Sequence, residues 1–189
     1  MVAVVGDSSR AVHGYEPLND AYRSVLPPVY FSVVYEYVDA EGAVRSDRGV
    51  EVKYSREENP TVRALEKAVA AIEEGEDALA FTSGMAAIST MLLSLARRGR
   101  KVLILKEMYG TTVQLAEELS QLVGYEIVKA YPSTEAVEEA AKEARPDVAL
   151  IEPVTNPTLK VLDLGELSGV FRDLGVEVFA DHTLPTPVL

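Results

Sequence analysis

The chain has no cysteine, no tryptophan and only two histidines in 189 residues. Without thiols there is neither a disulfide framework nor a thiolate-held metal, and two imidazoles are too few for a protein-only zinc site. Cations are scarce as well, 18 Lys and Arg against 30 Asp and Glu, for a formal net charge of -12. That balance argues against a nucleic-acid surface, because phosphate backbones select for clustered Lys and Arg. The one basic run, Arg97-Arg98-Gly99-Arg100-Lys101, reads as a helix C-terminus, where cations favour the dipole. No apolar run approaches the roughly 20 residues of a membrane helix, and Met1 to Asp7 is too short and too quickly acidic for a signal peptide. The expectation is a cytoplasmic protein with no membrane partner. Also missing are a Walker-type Gly-Lys-Ser/Thr and a glycine-rich dinucleotide fingerprint.

What is present suffices for one sizeable core, at 48% hydrophobic and 25% charged residues. From about Glu16 to Gly49 the pattern is irregular, with Pro27-Pro28 leading into the aromatic-rich Val29 to Tyr37. This stretch reads as an extended arm whose rings, Tyr30, Phe31, Tyr35 and Tyr37, bury against a second subunit. At Asn59-Pro60-Thr61 a cap and a first-turn proline open a helix, along which Val62, Leu65, Val69 and Ile72 recur at helical spacing until Gly75. Short apolar runs then alternate with longer amphipathic ones. Strands are expected at Ala78 to Thr82, Lys101 to Leu105, Tyr125 to Val128, Asp147 to Ile151 and Val176 to Ala180. Helices are expected at Met85 to Ala96, Thr111 to Val123, Ser133 to Ala144 and Leu164 to Leu174. Strands without polar alternation belong to a parallel sheet covered on both faces, so the fold class is α/β with an open sheet and right-handed crossovers.

Ligands of such sheets lie beyond the carboxyl ends of the strands. Ser83-Gly84-Met85, ahead of a helix of small residues, offers free backbone amides suited to phosphate, although Ser-Gly is also an ordinary cap. Tyr109, freed by Gly110, can lay its ring on a planar ligand or simply cap the core. In Glu152-Pro153-Val154-Thr155-Asn156-Pro157, two prolines stiffen a turn that can aim Asn156 at a hydroxyl or carboxylate. Asp181 closes the apolar run Val176 to Ala180, which reads as a buried strand. An isolated charge there needs a partner: a protonated pyridine nitrogen, a metal, an arginine or a helix N-terminus. Arg56 beside Tyr54 matches a phosphate, or else pairs with a neighbouring acid on the surface.

Taken in order, these pieces resemble one family. Tyr54-Ser55-Arg56 with Asn59-Pro60-Thr61, Ser83-Gly84-Met85-Ala86-Ala87, Tyr109-Gly110, Thr155-Asn156-Pro157, and Asp181 with Thr183 and Thr186-Pro187 have the order and spacing of the Cys/Met-metabolism pyridoxal-phosphate (PLP) enzymes. That family includes the cystathionine gamma-synthases, cystathionine gamma-lyases and methionine gamma-lyases. His13-Gly14 and Pro27-Pro28-Val29-Tyr30 resemble its opening.

The resemblance implies a fold-type I PLP-transferase-like large domain over residues 56–189, preceded by an N-terminal arm over 1–55. It implies pyridoxal 5'-phosphate as cofactor, an amino acid as small-molecule substrate, and a homo-oligomer, dimer or tetramer. The implied activity is β/γ-elimination or γ-replacement. By the same resemblance the amides of Gly84 and Met85, with Ser83 beside them, hold the cofactor phosphate, while Tyr54 and Arg56 reach the phosphate of a neighbouring subunit. Tyr109 stacks on the pyridine ring and is a candidate catalytic acid/base. Asp181 keeps the ring nitrogen protonated, Thr183 supports the ring, Asn156 lies near cofactor or substrate carboxylate, and Glu152 stands behind them.

Two local departures are His182, where relatives commonly have Asn, and the pair Glu57-Glu58 ahead of the Asn-Pro-Thr turn. A larger one is the family's Ser-x-Thr-Lys segment, which lies beyond the aspartate strand, supplies the imine-forming lysine, and has no counterpart here. None of Lys53, Lys67, Lys101, Lys106, Lys129, Lys142 and Lys160 ends a strand in that way, and Lys53 and Lys160 lie nearest the candidate loops. The reading is therefore an N-terminal part of such an enzyme, inactive alone and open to a complementing C-terminal chain. The alternatives are a non-catalytic remnant or partner subunit, or another α/β phosphate-ligand or nucleotide-binding protein.

Overall fold

A computed structural model describes residues 26–37, 44–95 and 99–187, with Gly6, Ser8, Val12 and Ser24 besides. His13-Gly14 and part of the basic run lie outside these residues. Two compact units divide the chain between Ala80 and Phe81.

The first unit is built on helix α1 (Pro60–Ile72). Asn59 holds the extended backbone of an N-cap, and its Oδ1 accepts the amides of Thr61 at 2.9 Å and Val62 at 3.4 Å. Ahead of it an irregular hairpin pairs Val34 with Tyr54 and Arg45 with Glu51. Its tight turn closes where the Gly49 amide reaches the Ser46 carbonyl at 2.9 Å, with a left-handed φ of +74° at Gly49 that favours a residue lacking Cβ. The apolar stripe of α1 does not face inward: Val62, Leu65 and Val69 are exposed, whereas Arg63, Ala64, Glu66 and Ala70 are buried. Ion pairing draws the charged face in, since Arg63 meets Asp47, Asp77 and Glu66, and Arg48 meets Glu66 and Glu58. Tyr30 and Tyr35 are half-buried within their own unit, tied to Asn59 and Thr61, while Phe31 is 91% and Tyr37 57% exposed.

The second unit is a four-stranded parallel sheet in the order β2-β1-β3-β4. Its strands are β1 (Lys101–Leu105), β2 (Glu126–Ala130), β3 (Val148–Ile151) and β4 (Glu177–Ala180). Four helices alternate with them: α2 (Gly84–Leu95), α3 (Gly110–Val123), α4 (Thr134–Ala144) and α5 (Leu164–Leu174). Ser133 and Asp163 cap α4 and α5 through their side chains, and Gly124 and Gly175 end α3 and α5 in the left-handed region. Val102 to Leu105 and Val148 to Ile151 are buried throughout and pack with Leu167, Phe171, Val137 and Ala116. Burial on both faces explains why these runs lack polar alternation.

The connection from β1 to β2 leads outward on one side, and those from β2 to β3 and β3 to β4 lead the other way. Right-handed crossovers in opposite directions put α3 on one face and α4 and α5 on the other. The packing agrees: α2 lies on α3, and α4 on α5. The reversal falls between β1 and β3, where such sheets open a crevice at their carboxyl ends.

Two expectations are corrected. Residues 78–82 form no strand; they run without a ladder partner among the described residues, with Leu79 67% and Phe81 43% exposed. β4 is not a buried strand, because it stands at the sheet edge and pairs only with β3, leaving Val178 39% exposed. Apolar composition alone does not make a strand or bury it; a neighbour must supply the other ladder or face. Among the described residues no helix is long and apolar enough to cross a membrane.

Candidate active site

Three strand ends converge at the crevice. After β1 the chain is anchored by buried Met108 and turns out at Tyr109, which precedes α3 with no side-chain cap bond and is 43% exposed. After β3 comes Glu152, only 3% exposed. Its Oε1 accepts the Tyr109 amide at 2.8 Å and its Oε2 accepts the Asn156 amide at 3.0 Å, so one carboxylate holds residues of two loops. After β4, the Asp181 amide extends the ladder to the Ile151 carbonyl at 2.8 Å. The Asp181 carboxylate turns back to the Thr183 amide at 3.1 Å and to the Thr183 hydroxyl.

The fourth wall is the start of α2. Ser83 Oγ accepts the Ala86 amide at 3.1 Å, and the amides of Gly84 and Met85, in the first turn, have no intrahelical acceptor. A Cβ at Gly84 would meet nothing within 4 Å, so the space beside that backbone is open. Thr112 of α3 donates its hydroxyl to Met85 Sδ at 3.8 Å, joining this wall to the one carrying Tyr109.

Together these residues enclose a cavity of about 310 Å³. Its lining includes Ser83, Gly84, Met85, Tyr109, Asn156, Asp181 and Thr183, seven positions that the sequence singled out, together with Glu152. Ile88, Val154 and Leu184, to which the sequence assigned no site role, add apolar wall. Ile88 was within reach of pattern reading, since it lies one helical turn beyond Gly84.

Tyr54 and Arg56 do not line this cavity; they belong to the first unit, where the Arg56 guanidinium stands 4.6 Å from the centre of the Tyr54 ring.

The electrostatics are one-sided. Burial pushes the Glu152 carboxyl above its ordinary value; the Tyr109 and Asn156 amides pull it down, and the charge of Asp181 adds to the rise. Among the described residues no lysine, arginine or histidine lines the cavity. Lys160 is held elsewhere, at 2.8 Å from both Glu107 oxygens, and Lys53 pairs with Glu51 and Glu57. Two carboxylates thus line a partly apolar cavity that also holds free helix-start amides and, among the described residues, no protein cation. A planar ligand that carries both a phosphate and a cationic nitrogen suits the two kinds of group.

A family model described as Cys/Met metabolism PLP-dependent enzyme matches residues 8–189. The chain belongs to this family. It is similar to the cystathionine gamma-synthase of Mycobacterium tuberculosis, at 34% identity over 98% of this chain and 47% of that enzyme. It is also similar to the L-methionine gamma-lyase of Pseudomonas putida, at 32% identity over 97% of this chain and 47% of the relative. Among solved structures, a cystathione gamma lyase from Micromonospora echinospora superposes with a TM-score of 0.83 at 33% identity, covering 97% of this chain and 47% of that one. The chain therefore spans about half the length of the relatives it matches.

The residues present fit the family's cofactor. The open backbone at Gly84 suits its phosphate, the half-exposed Tyr109 its ring face, and Asp181, with no cation on the cavity wall among the described residues, its ring nitrogen.

Proposed function

We propose that the chain supplies the cofactor cradle of a PLP enzyme of sulfur amino-acid metabolism, one that eliminates or replaces a group at the β or γ carbon of a sulfur-containing or O-acylated amino acid. The observation that carries this reading is the cavity at the β1/β3 crevice, whose lining joins helix-start residues with two carboxylates and, among the described residues, no protein cation. When bound there, pyridoxal phosphate supplies the electron sink for carbanion chemistry. Asp181 keeps a proton on the ring nitrogen, Gly84 and Met85 hold the phosphate by their amides, and Ser83 shapes that turn. Tyr109 covers the ring and moves a proton at its Oη; Thr183 and Asn156 orient what lies between. Tyr54 and Arg56 serve a phosphate in a neighbouring subunit, and Glu152 acts behind the contact residues.

The division into an arm over 1–55 and a cofactor domain over 56–189, a cytoplasmic location and homo-oligomeric assembly belong to the same reading. Among the described residues no lysine lines the cavity, so the imine-forming amine is supplied from outside residues 1–189, by a continuation of the chain or by a complementing polypeptide.

The test mixes the purified chain with pyridoxal phosphate, records the absorbance and circular dichroism of the ring, then reduces with borohydride. Saturable binding without a reduction-stable label is expected. A stable label on this chain alone would overturn the outside-lysine reading, and absence of any saturable ring signal would overturn the cofactor reading.

A further inference from the structure

We propose that Glu152 is a positioning residue, whose two carboxylate oxygens set the loop bearing Tyr109 against the loop bearing Asn156 across the β1/β3 crevice. The inference rests on the cofactor reading for its purpose, but not for its geometry. One oxygen takes an amide 43 residues away in sequence and the other an amide four residues away, at 2.8 and 3.0 Å. A carboxylate that merely stabilised its own turn would spend both oxygens there; this one joins the ends of two strands whose outgoing connections diverge.

At 3% exposure the link is shielded from solvent competition, which makes charge-assisted hydrogen bonds strong. The same two loops are tied a second time by Lys160 and Glu107, whose side chains are 46% and 32% exposed, so that outer pair is weak and screened by salt. The inner link is therefore the one that fixes where the Tyr109 ring stands.

Protonating Glu152 converts one acceptor oxygen into a donor hydroxyl facing an amide N–H, so one of the two loops is released. The groups facing it are Asp181 across the cavity and Tyr109 itself, with the Glu107 and Lys160 pair on the adjoining loops. Because burial raises the Glu152 carboxyl, positioning holds above that raised value and is lost as pH falls through it.

The experiment is nitrogen-edited NMR of the whole chain across pH. The Tyr109 and Asn156 amide signals should shift together, with one midpoint above that of an ordinary glutamate. In Glu152→Gln, which keeps the size and removes the charge, both should lose that titration. In the same samples, pyridoxal phosphate should bind Glu152→Gln on the order of tenfold more weakly than the parent, as for residues that orient a contact group. Lys160→Met should stay within about twofold, as expected for an exposed pair.

Independent midpoints for the two amides would overturn the proposal, and so would unchanged cofactor affinity in Glu152→Gln. The amide titration of the parent chain needs no variant, so a variant that misfolds leaves the proposal exposed to refutation. A shared midpoint in a chain that binds no pyridoxal phosphate would support the positioning role and overturn the cofactor reading instead.

Discussion

Arg63 stands among three carboxylates. It grips Asp47 through Nε at 2.8 Å and Nη2 at 2.7 Å, reaches Asp77 through Nη1, and lies 3.4 Å from Glu66. The Arg63 hydrogen bond holds the Asp47 carboxyl well below the usual carboxylate range, and it lowers Asp77 as well. A depressed folded-state value contributes stability above the unfolded value and loses it as pH falls through the folded one, so the first unit should weaken progressively below about pH 4. Asp47 is 41% exposed, so solvent screening keeps this contribution modest. Asp47→Asn is expected to flatten the acid limb of a urea-midpoint-against-pH curve; an acid limb as steep as the parent's would refute the assignment. Arg63→Met is expected to be more harmful, on the order of 3 kcal/mol, because the nearly buried Glu66 then keeps Arg48 as its one cation among the described residues, beside the Ala80 amide.

At the scale of elements, Asn59 does more than cap α1. Its Oδ1 takes two helix amides, while its Nδ2 donates to the Tyr30 carbonyl at 3.2 Å and to Ser55 Oγ at 3.1 Å, joining the helix to the arm and to the turn after the hairpin. A plain cap is worth about 1 kcal/mol, so Asn59→Ala should cost more than that, and Asn59→Asp, which keeps the acceptor and loses the donor, should fall between. Chemical denaturation of the two variants and the parent checks the order; equal costs would reduce Asn59 to a cap. In the second unit the corresponding test is Phe171→Ala on α5, expected to cost about 3 to 5 kcal/mol through the cavity it leaves against the sheet.

These elements also show what was legible in the sequence. β1 and α5 fall at the expected residues because period and capping are local properties. The loops that line the cavity were legible because open sheets form a crevice at their strand ends, and because the motifs that resemble the family's fall on them. Residues 78–82, the exposed β4 and the inverted burial of α1 were not, since each depends on a neighbour. Local pattern cannot tell whether Leu79 finds a ladder, or whether Arg63 draws the charged face of its helix inward ahead of Leu65. The double hold of Glu152 was hidden for the same reason, being a pairing between loops 43 residues apart.

For the whole molecule, the balance is between exposed apolar side chains and net negative charge. Leu26, Val29, Phe31 and Val34 of the arm are 65% to 91% exposed, and α1 adds Leu65 at 57%. Soluble monomers seldom leave large apolar patches to water, so these residues favour association. A formal net charge of -12 on each copy opposes it over the range of a Debye length, which shrinks from about 10 Å in 0.1 M salt to about 3 Å in 1 M. Self-association at micromolar concentration should therefore strengthen as salt rises, opposite to an assembly held by ion pairs. Phe31→Ser and Leu65→Gln should weaken it without altering the salt trend of what remains. Sedimentation velocity at low and high sodium chloride measures both, and a folded monomer at every salt concentration would show that no partner copy covers the arm.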